Sequence, residues 1–483
     1  MRRVSPVDTA AHGVAPTACG ACMHSGHFSP DAKNRPNASL LAARFMPYRC
    51  RIARFAPQYG KPMSAPTFHE NSPHAASIAD AAQLFDDTPL TRRFAPVFAR
   101  IAQGAVHRER HRELAYEPVE WLREAGYTKL RVPKQYGGDG ISLSEFLALV
   151  TRLGEADSNL PQILRVHGGF IESLLEYDDD TLRDRWLRRV VQGQIIGGAV
   201  AERTALTNNS VRLTQTGGAW HLDGEKYYTT GTLYADWVDV TAHDGQSDVR
   251  VLVPTDTPGL ERIDDWDGFG QRLTGSGTAR FNHVLVAREN VYRRYDASAP
   301  RRNSVLTAYY QALHIANLAG ISRAALRDAV AFTQVRTRTF GVPGESSPRD
   351  NPLVHRVVGR LASLAYSTQS ISASLGRAID EVCIARQEGR TTEETYIRLD
   401  IQTFQAQQIA IEQTLQAATL LFEVGGASAT SETRRFDRYW RNARVLASHN
   451  PAIMREAAIG DFYLNGNAHN ERFGVARATA VAA

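Results

Sequence analysis

The 483-residue sequence contains no run of eighteen apolar residues and only four cysteines. The first absence excludes a membrane-spanning helix, which needs about 20 consecutive, mostly apolar residues. No apolar segment follows the N-terminal arginines, so a secretory signal is not expected. With 43% hydrophobic and 8% aromatic residues, the composition predicts a globular, cytoplasmic protein that buries one large core or several ordinary ones.

Several catalytic signatures are missing as well. There is no phosphate-binding P-loop and no GxGxxG at the start of a βα unit, so this chain is not expected to bind a nicotinamide cofactor. No Gly-x-Ser-x-Gly elbow is present to activate a serine. His107 and His111 are one helical turn apart, as metal ligands can be, but charged neighbours and the lack of a third ligand favour an exposed helix face. No metal site is predicted.

Positive charge is concentrated in the first sixty-two residues, which hold nine Lys or Arg and two Asp, whereas the whole chain has a net charge of +5. These basic residues show no hydrophobic periodicity, so binding to nucleic acid or to a membrane is not expected. Cys19 and Cys22 have the spacing of a zinc half-site or a redox pair, but no second pair completes it nearby. We interpret residues 1–78 as a disordered leader, and residues 1–62 are either a leader or sequence upstream of a start at Met63.

The rest of the chain shows three patterns in turn, which predict helices over 79–194, short strands over 195–300 and long helices over 301–483. The predicted N-terminal helices are Leu84–Ile101, Pro118–Ala125, Leu143–Glu155, Pro161–Leu175 and Leu182–Val191. The predicted strands are Val211–Thr214, Ala219–Leu222, Lys226–Thr230, Val238–Ala242, Val249–Pro254 and Ala279–Val286. The predicted bundle helices are Tyr309–Thr333, Pro352–Glu388, Thr391–Phe422 and Pro451–Leu464. The fold class is therefore α+β, with a β domain between two helical domains.

Three segments carry a resemblance to a known family: LREAGYTKLRVPKQYGGDGIS (Leu122–Ser142), DGEKYYTTGTLYADW (Asp223–Trp237) and WRNARVLASHNP (Trp440–Pro451). Together they resemble the acyl-CoA dehydrogenase superfamily, and the resemblance extends over roughly Asp80–Gly466. It implies the acyl-CoA dehydrogenase fold, with an N-terminal helical domain, a central β domain and a C-terminal four-helix bundle. It also implies a homotetramer.

The residue that the family's commonest reaction requires is absent. In the dehydrogenases a glutamate near the end of the third segment removes the α-proton of the thioester, whereas here Asn450 stands at that position. A second location for that glutamate aligns near Ala312 or Leu313, and neither residue can act as a base. An amide has no basic lone pair, so α,β-dehydrogenation is not expected.

The sequence is most similar to the monooxygenase branch of the superfamily, which includes dibenzothiophene monooxygenase and sulfur-acquisition oxidoreductases. The similarity lies in Phe422–Thr430, in Arg272–Gly277 and in the WRNAR run with His449. It implies that the chain receives reduced FMN from a separate NAD(P)H-dependent flavin reductase and transfers one oxygen atom of O2 to a substrate. The expected substrate is a small organosulfur or aromatic compound.

Oxygen transfer needs a dry pocket, hydrogen-bond donors and a source of protons. His449, beside the vacant base position, is the first catalytic candidate, and the alternative is a histidine at a helix end that bonds a backbone carbonyl. His167 matches a histidine that lies beneath the substrate cavity in the monooxygenase branch, and the alternative is an ordinary, partly buried histidine. Asn450 completes the predicted catalytic set.

The resemblance also implies which residues bind the flavin. Tyr228, Thr229 and Thr230 belong to the strand that runs past the flavin ring, although strand propensity alone explains their types. Arg272 and Ser276, in a glycine-rich segment, are candidates for holding a phosphate. Residues expected to reach the cofactor of a neighbouring subunit are Arg336, Arg338, Phe340, Glu423, Gly425 and Gly426. One extra residue in VRTRTFG leaves open whether Arg336 or Arg338 meets the phosphate.

Two other functions remain open at this stage. One is an FAD-dependent acyl-CoA dehydrogenase whose base comes from an unexpected position. The other is a flavin- or acyl-binding protein without turnover, in which Asn450 marks the loss of activity.

Overall fold

A computed structural model of the chain describes residues 88–202, 209–295, 303–337 and 347–468. The predicted leader with Cys19, Cys22 and Cys50 lies outside these ranges. Within them, no helix combines the length and the hydrophobicity that crossing a membrane requires. The division into domains at residues 194 and 300 stays a proposal: the first boundary falls between a helix and a strand, and the second lies outside the described ranges.

The described chain forms six α-helices, then eight β-strands, then five α-helices. The first helices are α1 (Pro89–His111), α2 (Tyr116–Glu124), α3 (Leu143–Ala156), α4 (Asn159–Ile163), α5 (Arg165–Glu176) and α6 (Asp180–Val191). The strands are β1 (Ile196–Ala199), β2 (Arg212–Thr216), β3 (Ala219–Lys226), β4 (Trp237–His243), β5 (Asp248–Pro254), β6 (Leu260–Ile263), β7 (Thr278–Val286) and β8 (Val291–Arg294). The last helices are α7 (Leu306–Gln334), α8 (Pro352–Gln387), α9 (Glu393–Leu420), α10 (Asp437–His449) and α11 (Ala452–Asn465). This is the predicted α+β order, and the acyl-CoA dehydrogenase-like fold is confirmed.

Local sequence signals explain where several helices begin. Thr88 caps α1 in a capping box with Thr91, and Pro89 follows at the first helical position, where its missing N–H costs nothing. Ser142 caps α3 in the same way with Glu145. These polar side chains satisfy backbone N–H groups that no helical carbonyl reaches.

The eight strands form one sheet in the order β6-β7-β3-β2-β4-β5-β8, and β1 pairs with β4. The β1–β4 and β2–β4 pairs are parallel, and the other neighbours are antiparallel. Alternating residues such as Val238, Val240, Val249 and Val251 are buried on one face and form the core of the β domain, as expected from the period of two in a strand. A second layer of apolar residues from α5 and α6, including Trp186, packs against the sheet, so the sheet holds α5 in place.

Helix α7 is the central element of the C-terminal part. Most of its 29 residues are buried, and it packs against α3, α8 and α9. It crosses α3 closely, because a Cβ on Gly320 would lie 2.5 Å from the carbonyl oxygen of Thr151 and one on Gly154 would lie 2.6 Å from Oδ1 of Asn317. Only glycine fits at both positions, so the sequence fixes this crossing with two small residues.

Some predicted elements differ from the observed ones. The predicted strand Ala219–Leu222 extends to Lys226 as β3. The predicted strand Lys226–Thr230 is wrong beyond its first residue, since Tyr228 takes a left-handed φ of 60° in the turn that follows β3. The predicted helix Pro161–Leu175 is interrupted at Leu164. Strands β1, β6 and β8 and helix α10 were not predicted: the three strands have four residues each, too few for a clear alternation.

Candidate active site

The turn after β3 carries the first candidate residues. Tyr228 has a φ of 60°, which is strained for an aromatic residue, and the residue is 46% exposed. Gly231 has a φ of 79°, and a Cβ there would lie 2.4 Å from the carbonyl oxygen of Ile163. Glycine at 231 therefore lets the turn approach the junction of α4 and α5. An exposed aromatic ring beside that junction can cover one face of a planar ligand.

The hydroxyl groups of this turn contact the loop that precedes β7. Thr230 Oγ1 lies 2.8 Å from Ser276 Oγ, which lies 2.7 Å from Thr274 Oγ1. Thr229 donates its hydroxyl to the Gly277 carbonyl at 2.9 Å. The structure thus brings together Thr230 and Ser276, two predicted cofactor-binding residues, while the Thr229 side chain ties the two loops together.

Arg272 and Arg441 contact the same residue of α1. Arg272 donates to the backbone carbonyl of Glu109 at 3.3 Å, so its guanidinium has a structural partner. The Arg441 guanidinium lies 2.7 Å from the Glu109 carboxylate and donates to the Phe269 carbonyl at 2.7 Å. Burial raises the pKa of Glu109, and the charge of Arg441 opposes that rise. These contacts join α1, the β domain and α10.

Asn442, the next residue of the Trp440–Pro451 segment, also connects α10 to other parts of the protein. Its side chain donates to Ser158 Oγ at 3.0 Å and accepts from the Gln271 N–H at 2.6 Å. Asn317 of α7 donates to the Ser158 carbonyl at 2.8 Å. Arg441 and Asn442 are therefore positioning residues: they fix α10, whose last residue is His449.

His449 lies among polar side chains from α5 and α7. Arg165 Nη2 is 3.1 Å from His449 Nε2, and the His314 ring meets the His449 ring edge-on, with 4.6 Å between centroids. Asn450 donates to Gln311 Oε1 at 2.7 Å. We call these five residues the His449 cluster. His449 is exposed, whereas Arg165, Gln311 and His314 are buried, so the cluster is open to solvent at His449.

Hydrogen-bond chemistry fixes the tautomer of His449. A guanidinium can only donate, so Nε2 accepts from Arg165 and the ring proton is on Nδ1, which lies 3.3 Å from Asn450 Oδ1. Desolvation of the ring by the surrounding protein and, second, the positive charge of Arg165 lower the pKa of His449 to about 3. Burial lowers the pKa of His314 as well, and its Nε2 lies 3.0 Å from Gln162 Oε1. Both imidazoles are therefore neutral near pH 7.

The His449 cluster consists of two imidazoles, two amides and one guanidinium, and no carboxylate from the described part of the chain contacts it. A neutral imidazole whose pKa is lowered is a weaker base than an ordinary histidine. No acidic side chain within the described ranges thus takes the place of the glutamate that Asn450 replaces. The cluster can donate hydrogen bonds but has no group suited to removing a carbon-bound proton.

His167 has the contacts of an ordinary buried histidine, the alternative to its predicted catalytic role. Its Nε2 donates to the Thr128 carbonyl at 2.8 Å and its Nδ1 accepts from the Ile196 N–H at 3.2 Å. Burial lowers its pKa to about 4. Because backbone groups occupy both ring nitrogens, we assign His167 a structural role, joining α5 to β1 and to the turn after α2.

The predicted phosphate-binding residues lie at the C-terminal end of α7. Arg336 donates to the Gly425 carbonyl at 3.3 Å and its guanidinium lies 4.8 Å from the centre of the Phe332 ring. Arg434 lies 4.7 Å from the centre of the same ring. Gly426 has a φ of 52°, and Glu423 is exposed. Arg336 thus contacts Gly425, and Arg336 and Arg434 both lie against Phe332, whereas Arg338 and Phe340 lie outside the described residues.

Three residues of the His449 cluster, Arg165, Gln311 and His314, were missed in the sequence. His314 follows directly after Ala312 and Leu313, the positions considered for a second base, and its three-residue spacing from Gln311 places both on one face of α7. Arg165 lies in RVHGGF, where only His167 was predicted to have a function. Polar residues at buried positions of a mostly apolar helix were the available signal for Gln311 and His314, while no local signal marks Arg165.

Comparisons with known proteins agree with this geometry. The family model for the acyl-CoA dehydrogenase N-terminal domain matches residues 90–194, and that for the C-terminal domain matches residues 312–452. A probable FMNH2-dependent monooxygenase, SfnC of Pseudomonas putida, is 26% identical over 76% of this chain and 92% of its own length. A dibenzothiophene monooxygenase of Mycolicibacterium goodii is 25% identical over 74% of this chain and 90% of its own.

A solved structure has the same fold. The crystal structure of FMN-bound TdsC from Paenibacillus sp. A11-2 superposes with a TM-score of 0.72 at 23% identity, over 79% of this chain and 99% of that one. The chain belongs to the acyl-CoA dehydrogenase superfamily, and its relatives identify it as a flavin-dependent oxidoreductase in which oxygenation is favoured over dehydrogenation.

Proposed function

We propose that the protein is the oxygenase component of a two-component monooxygenase, which uses reduced FMN and O2 to oxygenate a small organosulfur or aromatic substrate. The observation that carries this proposal is the composition of the His449 cluster. It provides hydrogen-bond donors and neutral imidazoles where a dehydrogenase needs a carboxylate. The curated relatives named as monooxygenases support the same choice.

The residues of the candidate site fit a planar cofactor with a phosphate tail. Tyr228 presents a partly exposed ring held in a strained conformation, and Thr230 and Ser276 place a pair of hydroxyls behind the same turn. Arg336, with Gly425 and Gly426, would hold the phosphate of a cofactor bound to a neighbouring subunit. When bound, reduced FMN supplies the two electrons that the reduction of O2 requires.

Within this proposal the side chains of the His449 cluster have distinct tasks. Arg165, which donates to His449 Nε2, would stabilise negative charge on a molecule bound at the open side of the cluster. Asn450 holds the His449 proton in place through Oδ1 and is itself held by Gln311. His314 packs against the His449 ring and limits its rotation.

The partners follow from the proposed reaction. A separate NAD(P)H-dependent reductase supplies reduced FMN, because the described fold contains the helix–sheet–helix order of an acyl-CoA dehydrogenase and the sequence has no nicotinamide-binding motif. A homotetramer is proposed because, by family resemblance, the residues around Arg336 and Gly425 serve the cofactor of another subunit. We keep the cytoplasm as the proposed location.

The test is a reconstituted assay with the purified protein, FMN, NADH, a flavin reductase from another source and isotopically labelled O2, over a substrate panel led by dibenzothiophene. We expect a product that gains one labelled oxygen atom and that disappears without the reductase. Photochemically reduced FMN should replace the reductase and NADH. Dye reduction by an acyl-CoA under anaerobic conditions would instead indicate an FAD-dependent dehydrogenase, and a lack of turnover in both assays would indicate a binding protein.

A further inference from the structure

Arg165 is a buried cation that has no anionic partner among the described residues. It is 8% exposed, and its Nε has no hydrogen-bond partner. Its contacts are His449 Nε2 at 3.1 Å and the Tyr310 ring, whose centre is 5.2 Å away. Neither contact neutralises the guanidinium, because the imidazole is uncharged and the ring offers only its π face. Burial also lowers the pKa of Arg165, as expected for a charge without a counter-ion.

Three other buried arginines of this protein have carboxylate counter-ions. Arg108 lies 2.9 Å from Asp157, Arg323 lies 2.7 Å from Glu155, and Arg438 lies 3.1 Å from Asp328. Burying a charge without a partner is strongly unfavourable. The contrast indicates that the anion for Arg165 comes from a bound molecule.

Two further observations favour an anion at this place. Arg165 is the first residue of α5, a helix of 12 residues whose N-terminus has no side-chain cap, and the backbone N–H groups at such a helix end attract anions. His449, whose ring contacts Arg165, is exposed. A molecule that enters the open side of the His449 cluster therefore reaches the guanidinium.

We propose that Arg165 binds an acidic group of the substrate, a carboxylate or a sulfur oxyacid, so that the compound oxygenated at this site is an organic anion rather than a neutral arene or thioether. The planar guanidinium donates two parallel hydrogen bonds to such a group. His449, bonded to Arg165, then lies beside the anchored end of the substrate. This inference rests on the proposed oxygenase function, since it names the class of compound that the site accepts.

The test measures binding without turnover. Isothermal titration calorimetry is carried out with the full chain, with and without saturating oxidised FMN, using benzoate and benzenesulfonate and their neutral counterparts benzamide and benzenesulfonamide. We expect the two anions to bind at least about tenfold more tightly than the neutral pair, because a charge-assisted hydrogen bond is worth roughly that factor or more. Arg165→Gln should abolish the difference, Arg165→Lys should keep part of it, and the control Arg188→Gln, an exposed arginine on α6, should leave it unchanged.

Equal binding of anions and amides, or unchanged anion binding by Arg165→Gln, would overturn the inference. A loss of FMN affinity in Arg165→Gln, with no binding of either anion to the wild type, would overturn it too, because the positive charge would then serve the flavin. Circular dichroism of each variant checks that the fold is intact. Since the assay needs no oxygen transfer, its outcome is independent of whether the protein proves to be a monooxygenase.

Discussion

Protonation of His167 predicts how the stability of the protein depends on pH. The residue is 2% exposed and is neutral in the folded state, because its Nδ1 accepts from the Ile196 N–H. A proton on Nδ1 would place two hydrogen-bond donors, Nδ1–H and the Ile196 N–H, opposite each other. Burial accordingly lowers the pKa of His167 from 6.5 to about 4. Above pH 6.5 both the folded and the unfolded states hold the neutral ring, so this residue adds no pH dependence there.

As the pH falls below 6.5, His167 binds a proton in the unfolded state, whereas in the folded state it remains neutral until about pH 4. The free energy of unfolding therefore decreases across this window. Each pKa unit corresponds to about 1.4 kcal/mol, so His167 alone should remove about 2 kcal/mol at pH 5 and about 3 kcal/mol at pH 4. Both values are decreases in the free energy of unfolding relative to its value at pH 7.5.

The assay compares urea unfolding of the wild type and of His167→Gln at pH 7.5, 6.5, 5.5 and 5.0, followed by tryptophan fluorescence. Glutamine has a donor and an acceptor like the neutral ring but does not titrate. His314 and His449 remain in both proteins, so the difference between the two pH profiles isolates position 167. His111→Gln, a change at an exposed histidine, should keep the wild-type profile. A His167→Gln protein that loses stability on acidification as steeply as the wild type would refute the reasoning.

Three further predictions address the site and the fold. His449→Ala should lower the yield of oxygenated product and raise the release of hydrogen peroxide per O2 consumed, and unchanged coupling would remove His449 from the mechanism. Asn450→Glu should not by itself give anaerobic acyl-CoA oxidation with a dye acceptor, because the pocket must also recognise the thioester; substantial turnover would contradict this. Gly320→Ala should destabilise by about 1–3 kcal/mol in urea unfolding, because its Cβ would lie 2.5 Å from a backbone oxygen of α3. Gly359→Ala, at an exposed position of α8 where nothing lies within 4 Å, should stabilise the protein by up to about 1 kcal/mol. Equal changes in stability for the two variants would contradict the close approach of α7 to α3.

The contacts of Arg441 and Asn442 explain why these two residue types occur in the Trp440–Pro451 segment. Arg441 and Asn442 do not reach toward His449; they anchor α10 to α1, to the β domain and to the start of α4. A helix held at this many points places its last side chain within a narrow range. Changes at Arg441 or Asn442 are therefore expected to affect the reaction through the position of His449.

The absence of a dehydrogenase base could be read from the sequence, because it depends on the chemical type of one residue, Asn450, in a recognisable run. The fold class could also be predicted, since long helical periodicity and short alternation are local properties of the chain. The end of β3 could not: a tyrosine with a positive φ at 228 contradicts its own strand propensity, and it is the approach of Gly231 to Ile163 that imposes the turn.

The sequence by itself therefore determined the family, the order of the elements and the loss of the carboxylate base, because each of these is written in residue types and their spacing. Only the tertiary structure decided which side chains surround His449. Arg165 and His449 are 284 positions apart, and their contact depends on how α5 packs on the sheet and how Arg441 and Asn442 anchor α10. Electrostatic isolation of Arg165 is likewise a property of the three-dimensional surroundings, since a lone arginine in a sequence carries no sign of whether a carboxylate lies beside it.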